Sequence, residues 1–508
     1  MGFLAENKTI IRGLWVNYLH MLVSFVSLVV LTPILLKFLG QAGYGVWAVF
    51  GSIMSYFVLC DFGLNTAVVK YVAECRVLKQ EERLNRIIST TFLFMGVLGG
   101  IVVFVCFGLS YFVTGIFGIS NTLAPAARIA FVLVGANVAL GLLGGVFGNL
   151  LYGYERIDIW KGSSIVQQVV NFVLAVSFLH LGFGLIGVAM ASISGTIAVT
   201  CLYLMSIRFS AYGIRVRPSF IDTRVIKEIL PFSLRTFVLG LSSRFLYYSD
   251  NVVIGLFLGV ALVTPYEIVY KLCFLPTYLF SAISTIAFPR FSSLYTKGEL
   301  DDLRDLYLRI AKVSLVIMTS VGLGLLFLGQ SFIGLWVGDE NFAGMGVLVL
   351  LVAMNIFHAI GTPAAALLQG IGRNRELMWS EICNGGLNVI LSMALVTKIG
   401  LPGVAVGTLV AHLCSSFWVV LLLPCRYTKV SVGRYLSSCV LPPLLSSLPA
   451  GALAWGLMRE LPRADNFAQL MLRGIIVTTT YAAVYLVVGT TREERQMYFR
   501  LVKRMASA

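Results

Sequence analysis

Four ionisable side chains stand inside stretches otherwise apolar enough to lie in a lipid bilayer. The stretch near residues 229–258 carries Arg244 and Asp250 within Ser242-Ser-Arg-Phe-Leu-Tyr-Tyr-Ser-Asp-Asn251, and the stretch near 263–288 carries Glu267 and Lys271. A charged group at the centre of a spanning helix costs at least ~2.5–3.5 kcal/mol, so it persists where it faces water or an opposite charge. Arg244, Tyr248 and Asn251 recur at i, i+4 and i+7 and share one helical face. Asp250 is turned roughly 120° from that face by the 3.6-residue period. Glu267 and Lys271 are four apart, in the order that favours a local pair. Two readings stand. In one, Glu267 and Lys271 neutralise each other and Arg244 snorkels to the interface. In the other, these groups line a polar path for an anionic head group, Arg as a bidentate fork and Lys as a point charge. Asp250 and Glu267 are then candidate proton or sodium sites, or counter-charges to the cations.

Asp61 and Glu381 are weaker candidates for ion coupling or counter-charge. Asp61 also reads as a helix-end charge, and Glu381 as a structural partner of Arg373 or Arg375. His20, His358 and His412 stand alone on apolar helices and read as satisfied interior groups; the four histidines do not cluster in sequence.

The elements that would carry these residues are membrane helices. Of 508 residues 58% are hydrophobic and 12% charged, too apolar for a water-exposed surface. Stretches near twenty residues long, enough to cross a ~30 Å hydrocarbon layer, recur throughout. They fall near 13–38, 42–60, 88–117, 125–150, 162–180 and 185–207, then near 229–258, 263–288, 310–337, 343–370, 377–398 and 401–424. A last pair lies near 436–458 and 467–489. The expectation is an all-α, polytopic membrane protein of about fourteen spanning helices. Pro33, Pro276 and Pro363 fall within spans and mark points of bending.

The chain copies itself at a lag near 217 residues. Gly184-Leu-Ile-Gly-Val-Ala189 returns as Gly400-Leu-Pro-Gly-Val-Ala405, Leu151 and Gly153 as Leu368 and Gly370, Asn171 as Asn388, and Phe38-Leu-Gly40 as Phe257-Leu-Gly259. This implies two six-helix pseudo-repeats, 1–220 and 221–430, followed by an extra helix pair and basic tail, 431–508. Duplicated helix bundles often build a binding site at the bilayer midplane.

A net charge of +15 would suggest nucleic acid in a soluble chain. Here, thirty of the 38 Lys and Arg fall in segments on one side of the expected topology and six on the other. By the positive-inside rule both termini are cytoplasmic, in the plasma (inner) membrane, and no nucleic-acid partner is expected. The first apolar run has no small-residue cleavage motif and reads as a retained helix. Basic segments at 61–88, 208–228 and 290–309 have room for short helices. Leu300, Leu303, Tyr307 and Ile310 form a stripe suited either to the membrane surface or to a solvated helix end, as does the tail from Thr491 to Met505. Nine scattered cysteines without a Cys-x-x-Cys pair argue against disulfide or zinc frameworks. No phosphate-binding Gly-x-x-x-x-Gly-Lys-Ser/Thr loop, Gly-x-Ser-x-Gly or His-Glu-x-x-His occurs. No enzyme, cofactor or metal is expected.

Leu39-Gly-Gln-Ala-Gly-Tyr-Gly-Val-Trp47 and Asp61-Phe-Gly-Leu-Asn-Thr-Ala67 resemble the opening of polysaccharide flippases. These form the O-antigen and lipid-linked oligosaccharide branch of the multidrug/oligosaccharidyl-lipid/polysaccharide exporter superfamily. Asp250-Asn-Val-Val-Ile-Gly-Leu-Phe-Leu-Gly259 with Tyr266, Phe288-Pro-Arg-Phe-Ser292 and Leu368-Gln-Gly-Ile-Gly-Arg373 extend the resemblance to about residue 430. It implies a two-lobed, fourteen-helix fold whose central cavity opens alternately. The implied cargo is an oligosaccharide joined by diphosphate to a polyprenol, flipped outward by exchange with protons or sodium, with a polysaccharide polymerase and chain-length regulator as partners. Asp61, Asp250 and Arg290 fall in family-like motifs, Arg290 as a substrate-cavity candidate. Arg244, Glu267 and Lys271 rest on burial alone, and Tyr248 and Asn251 are substrate-cavity candidates on the face they share with Arg244. Alternatives are a multidrug or cation antiporter of the same superfamily, a lipid II flippase and, more remotely, a membrane glycan polymerase or ligase.

Overall fold

The computed structural model describes residues 2–210, 214–459, 464–492 and 494–496, and their side chains except 2–14, 232, 234–236, 238–240 and 242–247. Among the described residues there are helices and turns and no strand. A helix satisfies every backbone hydrogen bond within itself, which lipid demands of a spanning segment. Twelve helices among the described residues are long and apolar enough to cross a membrane, and the protein is a multi-pass membrane protein.

The chain divides into two compact units, Met1–Thr264 and Pro265–Ala508. The sequence repeat, with its expected boundaries near 220 and 430, is a separate matter from these packing units. The first unit holds α1 (Gly2–Phe57), α2 (Leu64–Val77), α3 (Glu81–Ile116), α4 (Ala124–Gly153), α5 (Ile157–His180), α6 (Gly184–Phe209) and α7 (Thr223–Phe257). At 1.5 Å per residue an unbroken α1 would run to roughly 84 Å, far beyond the hydrocarbon thickness. It turns at Gly40, whose φ of 66° and ψ of 176° are open only to glycine at low cost. Gly259, its partner in the repeat, has φ 90° and separates α7 from α8 (Val260–Lys297), the helix that runs into the second unit.

The second unit continues with α9 (Leu300–Val337), α10 (Met345–Gly370), α11 (Asn374–Ile399), α12 (Leu401–Cys414), α13 (Ser416–Tyr427), α14 (Val432–Tyr435), α15 (Leu441–Arg459) and α16 (Phe467–Val484). Pro33, Pro276 and Pro363 lie inside α1, α8 and α10. The stretch expected at 401–424 breaks at Ser415 (φ −128°, ψ −86°), whose hydroxyl donates to the Ala411 carbonyl at 2.6 Å.

The amphipathic segment from Leu300 is not a separate surface helix; it is the end of a long helix, with Asp301, Asp302, Asp305 and Arg309 exposed on one face. It forms the first turns of α9 and buries Leu303, Tyr307 and Ile310, with Tyr307 stacked on Tyr435 at 5.7 Å. The stripe read as membrane-facing is the packing face of a 38-residue helix. Most of the basic tail lies outside the described residues. Glu494 is described, and it accepts from the Lys312 ammonium of α9 at 2.7 and 2.8 Å. Tyr481 of α16 meets Thr319 of α9 and donates to the Pro443 carbonyl of α15 at 3.3 Å. The C-terminal helix pair is thereby bonded to α9.

Helices in lipid gain little from hiding apolar surface, so they depend on close backbone approach at small residues. A Cβ on Gly45 would fall on the Val260 carbonyl, and one on Gly403 would fall on that of Leu395. The repeat partner of Gly403, Gly187, is likewise crowded: a Cβ there would come within 2.7 Å of the Phe178 Cβ.

Gly45→Ala is expected to destabilise by about 1–3 kcal/mol through overpacking against fixed backbone. Gly51→Ala, on the same helix in open space, should leave the melting temperature in detergent unchanged or slightly raised. Equal shifts would remove the packing role of Gly45. A pH series tests the Lys312–Glu494 pair. Burial raises the Glu494 carboxyl, but donation from Lys312 and from the Thr491 backbone outweighs burial and holds it below its ordinary value. A depressed carboxylate adds stability above its unfolded pKa, about 4.3, and loses it as pH falls through the folded value. Lowering the pH through and below that range should therefore cost wild-type more melting temperature than Lys312→Met; parallel curves would dismiss the pair.

Candidate functional site

In the first unit, the turn at Gly40 leads the second half of α1 alongside α7. Buried on facing sides are Ser52, Ser55 and Tyr56 from α1 and Ser249, Asp250 and Asn251 from α7, with Tyr56 half-buried. Asn251 Nδ2 donates to Ser52 Oγ at 3.1 Å. Asp250, only 3% exposed, acts electrostatically on the Tyr56 phenol. Tyr248 is half-buried. Arg244 lies on α7, its side chain outside the described residues. Asp250 and Asn251 are thus brought into one polar cluster with α1, a contact across 199 positions that no local spacing could announce.

Asp61 sits at the turn into α2. Its Oδ1 accepts from the Gly63 backbone at 2.8 Å and its Oδ2 from Asn65 Nδ2 at 3.0 Å, while Asn65 Oδ1 accepts from Asn149 Nδ2 at 3.0 Å. The carboxylate ties the left-handed pair Phe62–Gly63 to the start of α2 and, through Asn65, to α4. This geometry suits a helix-end anchor.

In the second unit, Glu267 and Lys271 of α8 form an ion pair at 2.9 Å, their side chains 15% and 30% exposed. Arg290 is exposed near the C-terminal end of α8. Glu381 of α11 lies near Ser416 and Asn384, the Ser416 hydroxyl donating to the Ser380 carbonyl at 3.2 Å, while Arg373 pairs instead with Glu376 at 3.7 Å. Asn384 meets His412 Nδ1 at 3.3 Å, and the His412 and His358 rings stack at 5.6 Å. His358 then meets Phe274 at 5.4 Å, which stacks on Tyr270 at 4.5 Å. Histidines read as separate therefore belong to one buried run from α8 through α10 and α12 to Glu381. The signal available in sequence was indirect: Asn384 and His412 stand 217 and 216 positions after Gln167 and Thr196. Gln167 Nε2 donates to Thr196 Oγ1 at 3.3 Å, so the same bridge between successive helices occurs in both repeats. His20 is an interior group, bonded to Gln168 at 2.9 Å.

Among the described residues, no three His, Cys, Asp or Glu side chains converge as metal ligands would. Among the described residues the polar groups form clusters of neutral side chains around single carboxylates, beside the local ion pairs Glu267–Lys271 and Arg373–Glu376.

The fold is that of the transporters of the multidrug/oligosaccharidyl-lipid/polysaccharide superfamily. A lipid II flippase MurJ, solved in an inward closed conformation, superposes with TM-score 0.73 at 16% identity, over 92% of this chain and 98% of that one. An inward-facing multidrug resistance MATE transporter gives 0.65 at 17% identity, over 79% and 94%. Residues 8–295 match the polysaccharide biosynthesis protein family, and the chain belongs to it. Among its relatives are the uncharacterized membrane protein EpsK of Bacillus subtilis, 19% identical over 97% of this chain and 98% of that one, and a putative O-antigen transporter of Shigella flexneri, 24% identical over 77% and 91%. A probable low-salt glycan biosynthesis flippase of Haloferax volcanii is 23% identical over 53% and 56%.

A double-mutant cycle tests the α1–α7 contact. Ser52→Ala and Asn251→Ala should show a stability coupling of about 0.5–1.5 kcal/mol, the net worth of one buried hydrogen bond. Additive effects would mean that the two side chains act independently.

Proposed function

We propose that the protein flips a polyprenyl-diphosphate-linked oligosaccharide from the cytoplasmic to the outer leaflet, for polysaccharide or O-antigen export. The observation that carries this reading is membership of the polysaccharide biosynthesis family over residues 8–295. Names of relatives, an O-antigen transporter and a glycan flippase among them, support the same cargo class. The physical problem is a diphosphate and sugars crossing ~30 Å of hydrocarbon. A polar path that opens to one side at a time lowers that barrier without opening a pore.

In this reading Arg244 and Lys271 receive the diphosphate, with Tyr248, Asn251 and Arg290 as further substrate contacts. Asp250, Glu267, Glu381 and Asp61 are the coupling or counter-charge groups. Of these, Asp250 and Glu381 are bedded among hydroxyl and amide groups, which suits uptake and release of a cation. The fourteen-helix count treats the halves of α1 on either side of Gly40 as separate spans and adds α7. Both termini then lie in the cytoplasm, and a polymerase and chain-length regulator would take the product on the far side.

Proteoliposomes loaded with a fluorescent polyprenyl-diphosphate sugar provide the test. Leaflet exposure should rise with the protein and with an imposed proton or sodium gradient. Arg244→Ala should slow flipping about tenfold, the equivalent of ~1.4 kcal/mol in the barrier, with Arg492→Ala within twofold of wild type. Equal exposure with and without protein would overturn the flippase reading; equal effects of the two substitutions would remove the lumen role of Arg244. Export of organic cations in a drug-accumulation assay, or rescue of cells lacking a lipid II flippase, would move the cargo to one of the alternative classes.

A further inference from the structure

A crevice in the first unit has no role in the path described above. It runs between α3, α4 and α6 and the segment that follows α6. One part, about 740 Å³, is lined by Phe92, Leu143, Ile197 and Leu204, with Arg208 and Arg215 at its end. A second, about 550 Å³, adjoins it across Phe92, Leu143 and Val216 and reaches Leu93, Val97 and Arg217. Leu93, Val97, Ile197 and Leu204 are exposed on helices apolar enough to span a membrane. The crevice therefore opens toward hydrocarbon along its length, and three arginines line it at the end where α6 finishes, Arg208 in the last turn and Arg215 and Arg217 on the strap that follows.

That end is built. Three buried side chains of α3 hold the strap: Asn85 Oδ1 accepts from the Arg215 backbone at 2.8 Å, Ser89 Oγ from that of Arg217 at 3.3 Å, and Thr90 Oγ1 from that of Asp222 at 3.0 Å. Arg215 and Arg217 are anchored through their backbones on alternate positions, with Val216 between them lining both parts of the crevice. Arg208 is in the last turn of α6. Among the described residues, no carboxylate pairs with Arg208, Arg215 or Arg217. An apolar trough at membrane depth with an unneutralised cationic end fits an amphiphile with a negative head. A peptide would bring backbone groups into the trough that its apolar walls cannot satisfy.

We propose that this crevice is a binding site for an anionic glycerophospholipid of the surrounding bilayer. Its acyl chain lies against Phe92, Leu143 and Val216, and its phosphate is held by Arg208, Arg215 and Arg217. The site stands apart from the proposed cargo path, so it survives if the flippase reading fails.

Native mass spectrometry of the full chain with added phosphatidylglycerol or phosphatidylcholine of matched acyl chains decides it. Wild type should retain phosphatidylglycerol at least tenfold over phosphatidylcholine. Replacing Arg208, Arg215 and Arg217 together by Gln should reduce that preference to twofold or less. Removing the same charge elsewhere, with Arg309, Arg426 and Arg434 changed to Gln, should leave it intact. Val216→Trp, on the exposed strap, should lower retention of both lipids severalfold by filling the trough, and it tests the site even where the triple variant fails to fold. Equal retention of the two lipids by wild type, equal loss in both triple variants, or no effect of Val216→Trp overturns the proposal. Displacement of phosphatidylglycerol by an equimolar polyprenyl diphosphate also overturns it, because the crevice would then belong to the cargo.

Discussion

Close approach of backbones at glycine holds these helices together, and the rest of the structure depends on it. In water a helix bundle gains from hiding leucines; in lipid the tails are as apolar as the side chains, and only contact and polar bonding remain. Gly45 against Val260 and Gly403 against Leu395 leave no room for a methyl group. Contacts this tight bring hydroxyls and amides on neighbouring helices within bonding distance. The bond from Asn251 to Ser52 follows from the α1–α7 approach, and the Asn384–His412 bridge from that of α11 and α12.

The repeat makes this concrete. Positions separated by 216 or 217 residues carry the same structural task with different chemistry. The α5–α6 bridge is Gln167 to Thr196, neutral at any pH near 7. Its counterpart joins Asn384 to His412, and His412 stacks on His358. Of the two matching positions, Thr196 and His412, one carries a titratable group, and both take part in a polar contact between successive helices. Packing need not be reinvented for that, because the glycines on either side keep the helix spacing.

Much of this was legible from residues alone. Span positions followed from hydropathy, and the Glu267–Lys271 pair from i, i+4 spacing, because both are local properties. The break at Gly40 and the glycine at Gly259 were marked by the repeat, though not their left-handed backbones. Contacts across long separations were invisible. His358 and His412 are 54 positions apart, and nothing in either apolar helix says which faces meet. The Leu300 stripe misled for a physical reason: an apolar face opposed to charges looks the same whether it packs on lipid or on protein. Only Tyr435 and its neighbours decide it, and they lie over a hundred residues away. Asp61 was legible in type and ambiguous in role, since a carboxylate before a helix caps it as readily as it binds a cation.

Carboxylates inside the spanning helices have two kinds of neighbour. In the Glu267–Lys271 ion pair each member neutralises the other across one helical turn. Asp250 lies instead beside Tyr56 and Asn251, whose hydroxyl and amide groups can donate or accept. Ser416 and Asn384 give Glu381 the same kind of bed. Hydroxyl and amide groups can donate to a carboxylate and accept from a carboxylic acid. Under the proposed ion coupling, Asp250 and Glu381 are the carboxylates set among such groups. Asp61 has a structural task instead: its two oxygens accept from the Gly63 backbone and from Asn65, and so hold the turn into α2.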